Sequence, residues 1–513
     1  MGQYILGIDV GTTGSKAIVF DLAGTALASG YREYSCIYPN PNWVEQDVDL
    51  LCRSAMEACK EAIAKAGIAP ADVLSASISA QRCCLVLVDK DGNALKMISW
   101  MDNRAIAEVE EINKIMGAEA FYKVSGMPLG TTWLLPKILW VRNNEPQIWD
   151  KTVRMVQLHD YALKAFGSDD YYSDEPDCAF WGFWNTDKID WDEAMLKQFN
   201  LDKNMLPAVY PTGTKIGAVS KQAAAASGLL EGTTLCIGAG DQNCAAIGAG
   251  VVKAGMASIS IGTGGLATVF MSQPFRDPKG KAMVTNHARH GTWQMEGLQN
   301  AAAGVFRWFR DEIAALEKEH ADQDGENIYD ILDDMIADSP VGAKGLVLLP
   351  YYASAGSPRY DPYARGTLLG LTFAHSRADL ARAFMEGITM EQRDIMTSMV
   401  ETGIPVETVR IMGGATKSEV WNQMQADLYG RPVETLQVAD AAVLGAAMAA
   451  AVGAGCFKDI TEAAGQLVKP AKRYEPDPEK TKKYDALYAI YCQAYEALAA
   501  SGAFKSLSAF QGS

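Results

Sequence analysis

GIDVGTTGSKA, residues 7–17, decides the fold of this chain. An apolar, β-prone run over 3–8 precedes its glycine-threonine turn, a second run over 16–20 follows the turn, and TALASGYREYSC predicts a third strand. Because the connections are short and contain glycine, we predict an antiparallel meander. A similar turn recurs about 250 residues later in ISIGTGGLATVF, residues 259–270. The repeat predicts an α/β fold that is duplicated within the chain.

The length of 513 residues supports this division, because single hydrophobic cores rarely grow beyond about 300 residues. We predict two domains, 1–248 and 249–513, whose two turns face each other across a cleft. Hydrophobic periodicity and caps predict further elements. The predicted helices cover Asp47–Ala66, 104–116, 133–143, 297–317, 377–401 and 440–453, followed by a terminal helix.

Composition and charge exclude several classes of function. The chain is 49% hydrophobic with a net charge of −16, which indicates a globular protein and disfavours nucleic-acid and anionic-membrane partners. Its ten cysteines show no repeated CxxC spacing, so reduced thiols in a cytoplasmic protein are expected. We find no signal-peptide pattern and no run of about 18 apolar residues.

The first turn carries groups suited to phosphate. Gly11 lets the backbone approach an anion, and the N–H groups and hydroxyls around Thr12 and Thr13 offer donors. Lys16 adds a positive charge, and Asp9 is typical of a direct or water-mediated ligand of Mg²⁺. A plain tight hairpin would explain one such turn. Two turns in corresponding halves favour a nucleotide clamped between domains.

Four motifs, in order, resemble those of the FGGY carbohydrate kinases over residues 4–455. They are GIDVGTTGSKA, IGTGG, the C-terminal signature GTLLGLTFAHSRADLARAFMEG (366–387) and RIMGGATKSEVWNQMQADLYGRPV (410–433). The resemblance implies two actin/Hsp70-like ATPase domains with ribonuclease H-like cores, and ATP and Mg²⁺ as cofactors. It places Asp9 at the metal. The nucleotide-binding residues it implies are Gly11, Thr12, Thr13, Lys16, Gly262, Thr263, Gly413, Gly414, Ala415 and Ser418.

Phosphorylating a hydroxyl requires a group that accepts its proton, and a carboxylate is the usual acceptor. The candidate is Asp241 in GAGDQNCAAIGAG, residues 238–250, where small neighbours leave room for a ligand. A helix N-cap is the structural alternative, and both roles are compatible. The family resemblance implies that Asp241 is the base and that Gln242 contacts the substrate.

The acceptor segment follows the strand that ends in SIS. Its AQRCC matches the NQRE of glycerol kinases at Gln81 and Arg82, but Cys83 replaces the glutamate, which argues against plain glycerol. SWMDNRA resembles xylulokinase-like and gluconate-kinase-like members, implying that Trp100, Asp102 and Asn103 bind sugar hydroxyls. The alternatives are an Arg82 ion pair, core packing for Trp100 and a helix cap at Asp102.

Three acceptor classes stay open: a pentulose such as xylulose, autoinducer-2, and a small polyol such as glycerol or erythritol. In NAAAGVFRWFRDE, Arg307 stands where glycerol kinases have Gln, and we expect it beside the ribose or α-phosphate. The WGFWN cluster, residues 181–185, is expected to pack within the sugar domain. An actin-like ATPase switch and a non-catalytic sugar sensor are the alternatives of another class. Many relatives are dimers or tetramers, so a homodimer is one of the assemblies that the resemblance allows, and no sequence feature decides between them.

Overall fold

The structure is a computed structural model that describes residues 3–280 and 282–511. Its strands are β1 (Tyr4–Val10), β2 (Gly14–Asp21), β3 (Ala26–Glu33), β4 (Val73–Ala80), β5 (Leu85–Val88), β6 (Ala94–Ile98), β7 (Arg154–Gln157), β8 (Tyr172–Asp174), β9 (Trp184–Asn185), β10 (Asp190–Trp191), β11 (Ala208–Tyr210), β12 (Lys215–Ala218), β13 (Thr234–Gly240), β14 (Gly255–Ile261), β15 (Gly265–Met271), β16 (Met283–Asn286), β17 (Trp293–Gln299), β18 (Val347–Leu349), β19 (Thr367–Leu369), β20 (Val406–Met412), β21 (Val433–Leu436) and β22 (Pro470–Tyr474).

The α-helices are α1 (Val48–Ala66), α2 (Ile106–Met116), α3 (Ala118–Ser125), α4 (Leu134–Asn144), α5 (Pro146–Trp149), α6 (Leu158–Phe166), α7 (Glu175–Cys178), α8 (Glu193–Gln198), α9 (Lys221–Ser227), α10 (Asp241–Gly248), α11 (Ala303–Trp308), α12 (Ala315–Asp324), α13 (Ile328–Asp338), α14 (Arg377–Val400), α15 (Glu419–Tyr429), α16 (Ala441–Gly453), α17 (Ile460–Leu467), α18 (Pro478–Ser501) and α19 (Ala503–Gln511). None of the helices within the described ranges is long and apolar enough to cross a membrane.

The chain forms two compact units. One takes in the chain up to Lys253 together with 270–294 and 440–469, and the other takes in 254–269, 295–439 and the chain from 470 onward. The central sheet of the first unit has the order β12-β13-β4-β1-β2-β3. The sheet of the second unit contains β17-β15-β14-β20-β21-β22 in that order. In each sheet an antiparallel hairpin is extended by two parallel strands, so the predicted duplication is confirmed.

The first unit begins as the sequence predicts. β1, β2 and β3 pair antiparallel as a meander. Helix α1 follows, because the Asp47 side chain caps its start and Gly67, at φ 65°, ends it in the left-handed conformation. The apolar strands β1 and β4 pack against the buried face of α1 and against α16.

Helix α16 lies close to the sheet because its residues are small. A Cβ on Gly7 would sit 2.1 Å from the Val443 carbonyl oxygen, and one on Gly445 would sit 2.0 Å from the Cys244 carbonyl oxygen. The alanine-rich run predicted over 440–453 is therefore a buried helix rather than a surface one. This packing places Asp440, immediately before α16, at the same end of the sheet as the turn after β1.

One predicted helix is wrong in its bounds. We predicted a helix over 297–317, but β17 extends to Gln299 and the helical part begins at Ala303. A π-helical turn at Phe309–Ile313 then separates α11 from α12. The apolar residues of β17 fit either a strand or a helix by pattern, and pairing in the sheet decides between them.

Candidate active site

The turn at Gly11–Thr13 joins β1 to β2 at the edge of the first sheet. The Gly11 N–H donates to the Gly14 carbonyl at 3.0 Å, so the segment is a tight hairpin as well as a row of available donors. A Cβ on Gly14 would lie 2.4 Å from the Tyr31 hydroxyl oxygen, so a larger residue there would require the Tyr31 side chain to move. The Tyr34 hydroxyl donates to the Gly11 carbonyl at 2.7 Å and fixes the turn from below.

Asp9 lies at the end of β1 in an acidic environment. The Ser79 hydroxyl donates to its carboxylate at 2.7 Å, because Asp9 and Ser79 are register partners in the parallel pair β1–β4. The pKa of Asp9 is raised to about 7, chiefly by burial; the charges of Asp241 and Asp440 also raise it, and the Ser79 hydrogen bond and Lys16 lower it. A nearby cation would stabilise the charged form of a carboxyl group whose pKa is raised in this way.

Asp440 is a residue that sequence reasoning missed. Its carboxylate pairs with the Lys16 ammonium at 2.7 Å, with both side chains partly exposed. Sequence separates the two residues by 424 positions, and an acid before an alanine-rich helix reads simply as a cap. Asp9, Asp241 and Asp440 thus form a carboxylate set near one ammonium group, which fits the oxygen donors that Mg²⁺ prefers.

The raised pKa of Asp9 predicts a pH-dependent stability. Because the folded pKa exceeds the ordinary value, the metal-free protein is expected to lose stability as pH rises from about 4 to about 7. Relative to an Asp9→Asn variant, the loss should approach about 1.4 kcal/mol per pH unit. Urea unfolding in EDTA between pH 5 and pH 8 measures it. A stability difference that stays constant with pH, as expected for the exposed control Asp91→Asn, would contradict the assignment.

A chain of hydrogen bonds connects the first turn to the predicted acceptor residues. The Thr12 hydroxyl donates to Gln81 Oε1 at 3.0 Å and accepts from Trp100 Nε1 at 3.0 Å. Gln81 is buried and donates to Gln46 Oε1 at 2.7 Å. The Trp100 ring is 41% exposed, so it does not pack in the core. Thr12 therefore orients Trp100 and Gln81 toward the same face of the unit.

Arg82 and Asp241 lie together, as the resemblance implies. Asp241 is the first residue of α10, with Gly240 at the cap position, and its carboxylate accepts from the Gln242 N–H at 2.7 Å. Arg82 Nε lies 3.5 Å from Asp241 Oδ1. The Arg82 cation and the start of α10 both favour the ionised carboxylate, and the Asp241 side chain is still 29% exposed.

Two residues not predicted from sequence hold Arg82 in place. Its guanidinium stacks on the Phe180 ring at 4.5 Å and its Nη1 donates to Asn243 Oδ1 at 3.3 Å. The Phe180 ring is itself stacked on Trp133 at 6.0 Å. Asn243 lies two residues after Asp241, a spacing that could have drawn attention to it. Phe180 had no such signal, because its aromatic cluster reads as core.

The remaining acceptor candidates divide into two kinds. Asp102 is fully buried, where it accepts from the Val44 N–H at 2.6 Å and pairs with Arg104 at 2.8 Å. It therefore shapes the loop, and helix α2 begins only at Ile106, so Asp102 does not cap it. Asn103 is exposed and accepts from the Thr131 hydroxyl at 2.5 Å. Only Asn103 of this pair presents its side chain to solvent.

The second turn, at Gly262–Gly264, lies between β14 and β15. The Thr263 carbonyl accepts from the Ala302 N–H at 2.8 Å, and the Gly262 carbonyl accepts from the Ala303 N–H at 2.8 Å. The turn is thereby fixed against the first residues of α11. Arg307, one turn further along α11, is exposed. Beneath the turn, a Cβ on Gly265 would lie 2.1 Å from Gln392 Nε2.

The adenosine-type motif starts where β20 ends, beside β14. Gly413 has φ 93°, and a Cβ there would lie 2.4 Å from the Ile261 carbonyl oxygen. Gly414 is open, and Ala415 is buried. Ser418 caps α15 and its hydroxyl donates to Asp333 at 2.8 Å, which gives it a structural role that the sequence did not suggest. Parallel pairing of β14 with β20 therefore brings both motifs of the second unit to one sheet edge.

The tryptophan-rich segment packs as predicted. Trp181, Phe183 and Trp184 are buried, and each contacts the Trp191 ring at 5.1–5.6 Å.

Comparison with known proteins supports the geometry. Models for the N- and C-terminal domains of the FGGY family of carbohydrate kinases match residues 4–248 and 257–454. The chain belongs to the FGGY family. This FGGY chain is 29% identical to a xylulose kinase of Bacillus subtilis, over 96% of this chain and 97% of the relative. It is 30% identical to an autoinducer-2 kinase of an Enterobacter species, over 94% of this chain and 92% of the relative.

A solved structure gives the same result for the fold. The xylulose kinase of Lactobacillus acidophilus superposes with a TM-score of 0.89 at 26% identity, covering 97% of this chain and 99% of that one. The predicted pair of actin/Hsp70-like ATPase domains is confirmed. This FGGY chain is a carbohydrate kinase, a phosphotransferase whose acceptor is an alcohol group on a small sugar or polyol and whose donor is ATP.

Proposed function

We propose that this kinase transfers the γ-phosphoryl group of ATP to a hydroxyl of a pentulose such as xylulose, with Asp241 as general base. The observation that carries the proposal is the Asp241 carboxylate, partly exposed at the start of α10 with Arg82 beside it. A base must be ionised and reachable by the substrate, and the adjacent Arg82 cation and the 29% exposure of the Asp241 side chain support the proposal on both counts.

In the proposed reaction the acceptor lies against Arg82, Trp100, Asn103 and Gln242, with Gln81 orienting Trp100 through Thr12. Asp241 accepts the proton of the attacking hydroxyl as the new O–P bond forms, and ADP leaves with the electron pair of the old bond. We leave Asp102 out of the direct contacts because its carboxylate is buried against Arg104.

The proposed nucleotide contacts come from the two turns and the adenosine-type motif. Backbone N–H groups around Gly11–Thr13 and Gly262–Thr263 are suited to phosphate oxygens, and Lys16 supplies positive charge. Gly413, Gly414 and Ala415 would contact the adenine, with Ser418 shaping their helix, and the exposed Arg307 is free to reach the ribose or α-phosphate. In the proposed division, domain 1–248 contains the acceptor contacts and the first phosphate turn, and domain 249–513 contains the remaining nucleotide contacts.

Mg²⁺ is proposed at Asp9, where the carboxylate set offers oxygen donors and where a cation would favour the ionised form of Asp9. When bound, it would neutralise charge on the phosphate oxygens. Lys16 is paired with Asp440, so it is already oriented at the edge of this set.

The choice of acceptor rests on Cys83. This residue replaces a polyol-binding glutamate of glycerol kinases, and here it is buried with φ 60° in the core. Its thiol cannot take over the role of a hydroxyl acceptor at the surface, which disfavours glycerol. Autoinducer-2 is the second candidate, because a 30% identical relative over nearly the whole chain is an autoinducer-2 kinase.

A direct test is acceptor-dependent ADP release with Mg-ATP. The panel is xylulose, ribulose, gluconate, glycerol, erythritol and the tetrahydroxy-pentanedione precursor of autoinducer-2. We expect xylulose to give a kcat/KM at least tenfold above the others. A preference for the pentanedione would establish the second candidate, and ADP release that no acceptor increases would favour an ATPase switch.

A further inference from the structure

A buried group of acids and one imidazole lies next to the candidate base, and the proposed reaction does not use it. His159 and Asp160 stand in the first turn of α6, Asp174 caps α7, and Asp177 lies within α7. His159, Asp160 and Asp174 are fully buried and Asp177 is 1% exposed. One nitrogen of His159 and one oxygen each of Asp174 and Asp177 lie within 4.8 Å of one another.

Three carboxylate oxygens of this group have no donor. Asp174 Oδ2 and both oxygens of Asp177 make no hydrogen bond to any of the described residues. Buried carboxylates are normally paired, hydrogen-bonded or bound to a metal ion, because leaving them bare in a low-dielectric interior is very unfavourable. The group therefore needs either a proton or a bound cation to balance its charge.

The cationic side chain beside this group, Arg82, also contacts residues outside the group. Arg82 directs Nε to Asp241 and Nη1 to Asn243 and stacks on Phe180. Arg82 also borders the group: a Cβ on Gly240 would lie 2.3 Å from Asp177 Oδ1 and 2.5 Å from Arg82 Cδ. Burial raises the pKa of Asp177 well above its ordinary value, and the Arg82 charge offsets only part of that rise.

The spacing within the group fits metal ligands better than hydrogen bonds. His159 Nδ1 lies 3.4 Å from Asp160 Oδ1 and 3.4 Å from Asp174 Oδ2. A hydrogen bond between such charged partners is usually about 2.7–2.9 Å long. Two ligands bound tetrahedrally to one ion at about 2.0–2.1 Å are separated by about 3.3–3.4 Å.

We propose that His159, Asp174 and Asp177 bind one divalent transition-metal ion, Zn²⁺ or Mn²⁺, as a structural centre, with Asp160 within reach as a fourth ligand. Imidazole together with carboxylates suits these ions. The buried thiols of Cys178 and Cys244 are not part of the group whose ligand atoms lie within 4.8 Å of one another.

Binding requires a change of tautomer at His159. The Gly238 N–H donates to Nε2 at 3.2 Å, so the metal-free ring carries its proton on Nδ1. When the metal binds Nδ1, that proton moves to Nε2 and the long bond from Gly238 is released. Two long hydrogen bonds, from Gly238 to Nε2 and between Nδ1 and Asp160, are exchanged for three metal–ligand bonds, and any proton held by Asp174 or Asp177 is released to solvent. The ion would connect α6 to α7 next to Gly240. It would thereby stabilise the position of Asp177 beside the Arg82 side chain.

The test is metal analysis of the full chain, purified without chelators from cells grown with added zinc and manganese. We expect about one Zn²⁺ or Mn²⁺ per chain to survive desalting in Mg²⁺ buffer, which removes ions bound weakly at Asp9. Asp177→Asn, which keeps the size of the side chain, should lower that content at least tenfold. Glu108→Gln is the matched control, because Glu108 is another buried acid with an unpartnered oxygen.

X-ray absorption of the metal-loaded wild type tests the same proposal without any variant, which matters if Asp177→Asn does not fold. A nitrogen and oxygen shell near 2.0 Å that includes imidazole scattering supports the assignment, and sulfur ligands overturn it. A folded wild type that retains no ion, and whose melting temperature Zn²⁺, Mn²⁺ and Co²⁺ leave unchanged, also overturns it. The three acids would then hold a proton in place of the ion. None of these readouts depends on which sugar is phosphorylated.

Discussion

Asp241→Asn is expected to lower kcat by about 10²–10⁴-fold, the range that a positioned general base contributes. Asparagine keeps the side-chain shape and can still accept the Gln242 N–H, but it cannot take a proton from the substrate hydroxyl. ATP affinity should change little, because the proposed nucleotide contacts lie in other segments. Steady-state kinetics with the preferred acceptor, together with ATP-analogue binding by calorimetry, measure both quantities.

Two comparisons make this result specific to the base. Asp150→Asn removes an exposed acid at the end of α5 and should leave kcat unchanged. Asp241→Glu retains a carboxylate at a shifted position and should recover part of the activity at high pH. Turnover of Asp241→Asn near the wild-type value would remove Asp241 from the role of base and leave the acceptor proton to solvent.

The sequence predicted those parts of the molecule in which local chemistry and spacing are decisive. The meander, helix α1 with its Asp47 cap and Gly67 end, and the two glycine turns each depend on residues that are near neighbours in the chain. Asp241 and Arg82 were found because each stands in a short motif.

The residues that were missed become neighbours only through tertiary packing. Asp440 reaches Lys16 because α16 packs on β1, and no short-range pattern records a separation of 424 residues. Phe180 reaches Arg82 from an aromatic cluster that otherwise forms core. The helix predicted over 297–317 failed for the same reason, since pairing in a sheet overrode an ambiguous apolar pattern.

One of these tertiary contacts, between Ser79 and Asp9, could have been predicted from the pattern of residues in strand β4. In VLSASIS, serines alternate with apolar residues on a strand that is buried on both faces, where a hydroxyl usually has a hydrogen-bond partner. Ser77 is the exception, since its hydroxyl makes no hydrogen bond to the described residues. Ser75 donates to the Ala450 carbonyl at 2.7 Å, and Ser79 donates to Asp9 at 2.7 Å. The buried Ser79, immediately before the AQRCC segment, was therefore a signal of a polar partner such as Asp9.

Gly413→Ala is expected to raise the KM for ATP at least tenfold and to lower the melting temperature by several degrees. At φ 93° a non-glycine residue is strained by about 1–3 kcal/mol. The new methyl carbon would also lie 2.4 Å from the Ile261 carbonyl oxygen, a contact that backbone must move to relieve. Ile261 is the last residue of β14 before the Gly262–Gly264 turn, so relief of the clash displaces this turn, which we propose to bind phosphate.

Gly414→Ala is the matched control, one residue away. The φ angle of Gly414 lies outside the left-handed region, and a Cβ there would meet no atom within 4 Å. The folded state therefore accepts alanine at this position without strain. Its melting temperature should equal or slightly exceed that of the wild type, because alanine restricts the unfolded chain. If Gly414→Ala weakens ATP without loss of stability, the open space at Gly414 is filled by the nucleotide. If both variants keep the wild-type KM for ATP, the segment does not bind adenosine, and the nucleotide assignment in the second unit falls.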